Sequence, residues 1–397
     1  MTMDGKVWVS KLNDRAAFRP GGATPSPVRF YDTTLRDGEQ TVGVVLTPQQ
    51  KLELARALDD LGISRIEAGF PRVSPDDAEA FAMIVRAGLR AEIWGFARAV
   101  RGDLEELARL GARATVIEIP CSPIKLQAYG ISAPDSLLRA AEAVRLARQN
   151  GMKVAFFPVD GTRANLEHLR ALYLTTLEAG AEEVVVVDTI GVCNPEAIEF
   201  LVGQVREWVG PAVPIHFHGH DDFGLATACA IAAVRAGATW IQATINGMGE
   251  RAGNADIAEV AMALTCLYGV PVELRLDKIR EVSARVRAAS GYQMEPWKPV
   301  VGENLFLRES GAVASQFHIP EAIEPFSADL VSARRAIVLG KKSGVDSIEI
   351  KARELGLEIA ADKKAAVLAA VKKRGIEKRG LLTDNEFREI VAANRLP

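Results

Sequence analysis

Residues 182–220 read EEVVVVDTIGVCNPEAIEFLVGQVREWVGPAVPIHFHGH and hold one complete structural unit. EEVVVVDT (182–189) is a near-continuous β-branched run, as a strand buried on both faces requires. NPEAIEFLVGQVREWVG (194–210) opens on an Asn-Pro start signal, carries apolar residues at helical spacing and closes on glycine. PIHFHGH (214–220) is a second strand, so the unit reads strand–helix–strand with a parallel crossover. Working outward, the same apolar runs recur as VRFYDTTL (28–35), RIEAGF (65–70), AEIWGFA (91–97), ATVIEIP (114–120), KVAFFPVD (153–160) and WIQATING (240–247). Helical stretches such as TPQQKLELARALDDLG (47–62) and APDSLLRAAEAVRLARQNG (133–151) separate them. Eight evenly spaced units predict an α/β fold, a (β/α)8 TIM barrel over 28–270. The competing doubly wound open sheet rarely keeps such even spacing over so many units.

Beyond the barrel the pattern changes. Residues 1–27 read as an N-terminal arm and 271–296 as a helical linker containing LDKIREVSARVRAAS. Residues 297–345 are irregular and read as a lid or linker segment; 346–397 read as a small, mainly helical C-terminal subdomain. A net charge of −3 lacks the basic footprint of a nucleic-acid binder. No apolar run approaches the roughly 20 residues of a membrane span, and the first residues lack an apolar signal-peptide core. Cys121, Cys193, Cys229 and Cys266 form no CxxC pair and read as thiols of a reduced, cytoplasmic protein.

In a barrel, the C-terminal ends of different strands converge on one mouth. Arg36, Asp37, Glu39 and Gln40 follow the first strand, Glu67 ends the second, Asp188-Thr189 end the sixth, and the segment to Asn254 follows the eighth. His216, His218 and His220 lie at alternate positions of the seventh strand, so all three project to one face. Two such imidazoles with Asp37 make a two-His-one-carboxylate face suited to Mn, Fe, Co or Zn, or with waters to Mg. The competing reading makes the histidines buried core groups. Arg36 beside a bound ion suits a 2-oxo acid carboxylate and the charge of an enolate oxygen; an ordinary ion pair to Glu39 or Glu67 competes. Asp188 and Asp222 are candidates to orient the histidines. The GMGERAGN loop (247–254) lacks dinucleotide-fingerprint spacing, while exposed backbone N–H groups there would suit a phosphorylated ligand such as coenzyme A.

Four segments, DTTLRDGEQ (32–40), HGHDDFGLA (218–226), NGMGERAGNA (246–255) and GKKSG (340–344), resemble the 2-isopropylmalate, homocitrate and citramalate synthase family. That family is related more distantly to hydroxymethylglutaryl-CoA lyase. The resemblance implies a TIM barrel and a divalent ion (Mg, Mn, Zn, Co or Fe) on Asp37, His218 and His220 with Asn254 nearby; His216 lies outside that register. It implies Arg36 and Thr189 on the 2-oxo acid; Gln40, Glu67, Phe157 and Val159 are read as further candidate substrate contacts. The implied reaction is Claisen condensation of an acyl-CoA, usually acetyl-CoA, with a 2-oxo acid to give a 2-hydroxy dicarboxylic acid. Thioester hydrolysis follows, and the implied assembly is a homodimer. GERAGN favours the synthases, because the lyases carry a cysteine in that loop.

Departures bear on the acid/base chemistry. RESGAVASQ (308–316) places Arg308 and Val313 where the family carries histidines, and Ile323 falls at the usual tyrosine. Phe157-Pro158-Val159-Asp160 replaces a Ser-x-Glu-Asp pattern, and Lys125 and Lys342 replace histidines. Glu39, Lys125, His318 and a metal-bound water are therefore the candidates for proton transfer. Cleavage of a 3-hydroxy acid or its CoA ester, and non-catalytic binding of a 2-oxo acid, are the alternatives to condensation.

Overall fold

The computed structural model describes residues 5–15 and 28–394, so most of the expected N-terminal arm lies outside the described residues. The chain divides into two compact units, Lys11–Met294 and Met1–Ser10 with Glu295–Pro397.

The first unit is a closed parallel barrel of β1 (Arg29–Asp32), β2 (Arg65–Glu67), β3 (Glu92–Arg98), β4 (Ala114–Pro120), β5 (Lys153–Val159), β6 (Glu183–Asp188), β7 (Ile215–Gly219) and β8 (Trp240–Ala243). β8 pairs back with β1 from Arg29↔Trp240 to Asp32↔Ala243, which excludes the open sheet. One main helix follows each strand: α1 (Pro48–Leu61), α2 (Pro75–Arg86), α3 (Arg101–Arg109), α4 (Ala133–Gln149), α5 (Leu166–Glu178), α6 (Pro195–Val209), α7 (Ala226–Arg235) and α8 (Ile257–Tyr268). A short helix, Pro123–Tyr129, precedes α4. Local chemistry sets these limits. Thr47 and Gln50 form a reciprocal capping box at the start of α1, and Gly62 ends it at φ +97°. Asn194 caps α6 through the backbone N–H of Ala197.

Several strands stop short of their apolar runs. β1 ends at Asp32 because its carboxylate accepts the backbone N–H (2.9 Å) and hydroxyl (2.7 Å) of Thr34, turning the chain. β8 ends at Ala243 and gives way to a tight turn at Ile245–Gly247, with Asn246 at φ +64°. Tyr31, Trp94, Phe96, Val116, Phe157 and Trp240 fill the barrel interior. Each fully buried large apolar side chain contributes about 1.5–3 kcal/mol. Helix α9 (Ile279–Ser290), within the segment read as a linker, belongs to the barrel unit. Its Ser283 hydroxyl donates to Asn246 Oδ1 at 2.5 Å.

In the second unit, β9 (Leu307–Arg308) and β10 (Ala336–Ile337) form a parallel pair. Helices α10 (Val345–Glu354), α11 (Lys364–Lys378) and α12 (Asp384–Ala393) enclose a core that includes Ile337, Ile348, Val371 and Phe387. The segment read as a lid folds into this unit instead of standing apart. Arg335 binds both oxygens of the buried Glu324 at 2.8 Å and the Phe317 carbonyl at 2.9 Å.

Candidate active site

The turn after β1 is held from several sides. Thr33 N–H donates to Ala243 O, Gly38 N–H to Thr33 O, and Ile245 N–H to the Thr34 hydroxyl. This fixes Arg36 and Asp37 over the barrel mouth, both buried. From β7 come His218 and, one residue past the strand, His220. Asp37 Oδ2 lies 3.4 Å from His218 Nε2 and 3.6 Å from His220 Nε2, and the two Nε2 atoms are 3.2 Å apart.

That trio fits a divalent ion. An ion with bonds of about 2.1 Å spans donor atoms at these separations. Asp37 Oδ2 has no hydrogen-bond partner despite its burial, and neither does Asn254 Oδ1. Burial alone would raise the Asp37 carboxyl pKa, but Arg36 and the two histidines outweigh it and hold it below the usual carboxylate range. Burial pushes the His218 imidazole down to about 3, so it is neutral with a lone pair free for a metal. Asn254 is placed by the loop after β8, which bridges back onto His220 through Asp221 N–H to Gly253 O and Ala255 N–H to Gly219 O. His216 is apart from this set. It lies deeper, 2.6 Å from Glu183 and stacked on Trp240.

Arg36 joins the trio to a second carboxylate. Its Nε donates to Glu67 Oε2 at 2.5 Å, its Nη1 to Gln40 Oε1 at 3.3 Å, and its guanidinium lies 4.2 Å above the Phe96 ring. Nη2 is buried and unpartnered. The ion pair to Glu67 holds the group while Nη2 keeps its N–H bonds free. Burial would lower its pKa, and Glu67 with Asp37 overrides this and raises it. Phe157 packs edge-on against the His218 ring, centroids 5.1 Å apart, with Val159 farther along the same strand. Thr189 Oγ1 accepts the Asp160 backbone N–H at 2.7 Å and keeps its own proton to donate.

Other expectations are corrected. Glu39 is committed elsewhere: it pairs with Lys51 and accepts the Leu46 N–H at 2.8 Å, so it is no free base. Asp188 does not orient a histidine with its carboxylate, which accepts Thr162 Oγ1 and the N–H groups of Val192 and Cys193. Asp222 instead receives the Arg251 guanidinium at 2.9 and 3.0 Å. Most backbone N–H groups of the GMGERAGN loop are already used. The N–H groups of Gly247, Met248, Gly249, Gly253 and Asn254 all donate within the protein. Lys125 is half-buried on the short helix and has no ion-pair partner among the described residues. His318 is exposed in the C-terminal unit. Sequence reasoning passed over Glu118, whose signal was a lone carboxylate in the otherwise apolar run ATVIEIP.

The HMGL-like family matches residues 27–286, and the match spans the whole barrel. The chain belongs to the HMGL-like family. Homocitrate synthase AksA of Methanopyrus kandleri is 43% identical over 92% of both chains. The putative (R)-citramalate synthase CimA of the same organism is 41% identical over 92% of this chain and 72% of its own. The 2-isopropylmalate synthase of Methanocaldococcus jannaschii is 40% identical over 85% of this chain and 65% of its own. Like these HMGL-like synthases, the chain is an enzyme. Among solved structures, the HMG-CoA lyase of Bacillus subtilis superposes with a TM-score of 0.62 at 20% identity, over 68% of this chain and 96% of its own. At that identity the likeness establishes the shared barrel.

Proposed function

We propose that this enzyme condenses the acyl group of an acyl-CoA, acetyl-CoA foremost, with a 2-oxo acid and hydrolyses the thioester to a 2-hydroxy dicarboxylic acid. The observation that carries the reading is the buried, unpartnered Arg36 Nη2 beside the Asp37–His218–His220 trio. A 2-oxo acid offers a carboxylate for the first and adjacent oxygens for the second. Asp37, His218 and His220, with Asn254 beside them, would hold a divalent ion, which when bound supplies Lewis acidity at the ketone.

The chain's own residues do the rest. Arg36 Nη2 donates to the substrate carboxylate, and the stack on Phe96 with the Glu67 and Gln40 bonds keeps the guanidinium from turning away. Thr189 donates its free hydroxyl proton to a substrate oxygen. Phe157 and Val159 form an apolar wall that excludes water from the reacting carbons and favours a 2-oxo acid with an apolar tail. Lys125 and His318 stay in the same proposal as candidates for proton transfer. Four free cysteines support a reducing cytoplasmic setting, and the proposed assembly is a homodimer. No helix among the described residues is long and apolar enough to cross a membrane.

Thiol release from acetyl-CoA with a panel of 2-oxo acids, in Mg or Mn, tests the reading. Release with at least one acid is expected; none with any acid would sink it.

A further inference from the structure

By strand alternation β4 turns Ala114, Val116 and Glu118 toward the barrel axis, and Ala114 and Val116 lie in the interior apolar cluster. In register, Glu118 stands between Arg98 of β3 and Phe157 of β5. Phe157 touches His218, so the Glu118 rung adjoins the proposed substrate site. Three neighbouring inner carboxylates are occupied: Glu67 by Arg36 and Tyr31, Asp160 by Arg163 and Ser122, Asp188 by Thr162 and two backbone N–H groups. Glu118 is different. It is half-buried, yet its carboxylate accepts no hydrogen bond and makes no ion pair within 4 Å among the described residues. A carboxylate left unpartnered in a barrel mouth is costly to keep there and marks a functional position.

Its electrostatic surroundings are those of a base. Burial comes first and pushes the carboxyl up to about 7. Arg36 after β1 and Arg98 of β3 pull it down, while Asp103 of α3 and Glu67 of β2 push it further up. A base that titrates near the working pH removes a weakly acidic proton with the least compromise between strength and availability.

We propose that Glu118 is the general base that takes the α-proton of the acyl thioester, an inference that rests on the condensation reading above. The C–H bond breaks, its proton passes to a Glu118 oxygen, and its electron pair forms the C–C bond to the ketone carbon. The ketone π pair moves to oxygen, which takes up a proton to become the hydroxyl. Water then adds to the thioester carbon, the C–S bond breaks, and the CoA thiol leaves. No oxidant or reductant enters. The position also explains how strand 5 can present Phe157 and Val159: the carboxylate stands on the neighbouring strand.

The test uses the full-length enzyme as unmodified protein, Glu118→Gln and Glu118→Asp, with acetyl-CoA and the 2-oxo acid that the unmodified enzyme turns over. Glu118→Gln is expected to lower kcat by about 100- to 10,000-fold. Its Kd for the 2-oxo acid, measured by calorimetry, should stay within about threefold, which also reports an intact fold. The unmodified enzyme should lose kcat as pH falls through about 7, and that acidic limb should vanish in Glu118→Gln but persist at a lower rate in Glu118→Asp. A Glu118→Gln enzyme with kcat within about threefold of the unmodified one overturns the proposal, as does an unchanged acidic limb. If the unmodified enzyme releases no thiol with any acid, the condensation reading fails and takes this proposal with it. Release undiminished in Glu118→Gln overturns this proposal alone.

Discussion

Removing Arg36 should be costly in two separable ways. In the folded barrel Glu67 is fully buried, and its charge is balanced by the Arg36 guanidinium 2.5 Å away. Burial raises the Glu67 carboxyl above the ordinary carboxylate value even with Arg36 in place. In Arg36→Ala the burial stays and the counter-charge goes, so the carboxyl rises further. A carboxyl whose folded pKa exceeds its unfolded one makes the fold lose stability as pH rises from the unfolded value toward the folded one. Breaking a buried pair by removing one member costs about 3–5 kcal/mol. We therefore expect that loss in full at pH 8 and a smaller one at pH 6, where Glu67 can take up a proton. Arg36→Ala/Glu67→Gln should be more stable than Arg36→Ala, because the buried Glu67 charge is no longer stranded. The second cost is to the ligand: one lost charge-assisted hydrogen bond of about 1.5–3 kcal/mol weakens 2-oxo acid binding about 10- to 150-fold. Urea unfolding at both pH values and calorimetric titration with the 2-oxo acid measure the two effects. An Arg36→Ala protein within about 1 kcal/mol of the unmodified one at both pH values would refute the buried-pair argument. Unchanged 2-oxo acid affinity would refute the role given to Nη2.

Other outcomes follow from the same geometry. His218→Ala and Asp37→Asn should each lower bound divalent metal on elemental analysis, while Arg36→Ala leaves it unchanged; full occupancy in the first two would remove the metal assignment. Gly95→Ala places a Cβ 2.3 Å from Leu107 Cδ2, an overpacking cost of about 1–3 kcal/mol that Leu107→Val should partly relieve in urea unfolding. If the double variant is no more stable than Gly95→Ala, the contact is not the cause. Phe157→Ser should shift relative kcat/KM toward 2-oxo acids with polar tails, and an unchanged ranking across the panel would show that this wall does not read the tail.

The amino-acid sequence by itself determined the barrel and the trio. Strand and helix periodicities, caps and turn residues act over a few neighbours, so the eight units could be read in order. Histidines two apart on one strand share a face whatever surrounds them, and the turn after the first strand carries Asp37 to the same mouth. What only the tertiary structure decided is which polar group faces which. Glu39 looked available as a base and Glu118 drew no notice, but α1 brings Lys51 to Glu39, while nothing among the described residues pairs with Glu118. Asp188 and Asp222 looked like supports for the histidines until loop closure gave them Thr162 and Arg251 as partners. The eight-residue limits of the first and eighth strands were shortened by Asp32 and Asn246, through hydrogen bonds made after the chain turns. Local pattern specifies backbone form because its interactions are short in sequence. Partnering between strands depends on register and closure, which exist only once the barrel has formed.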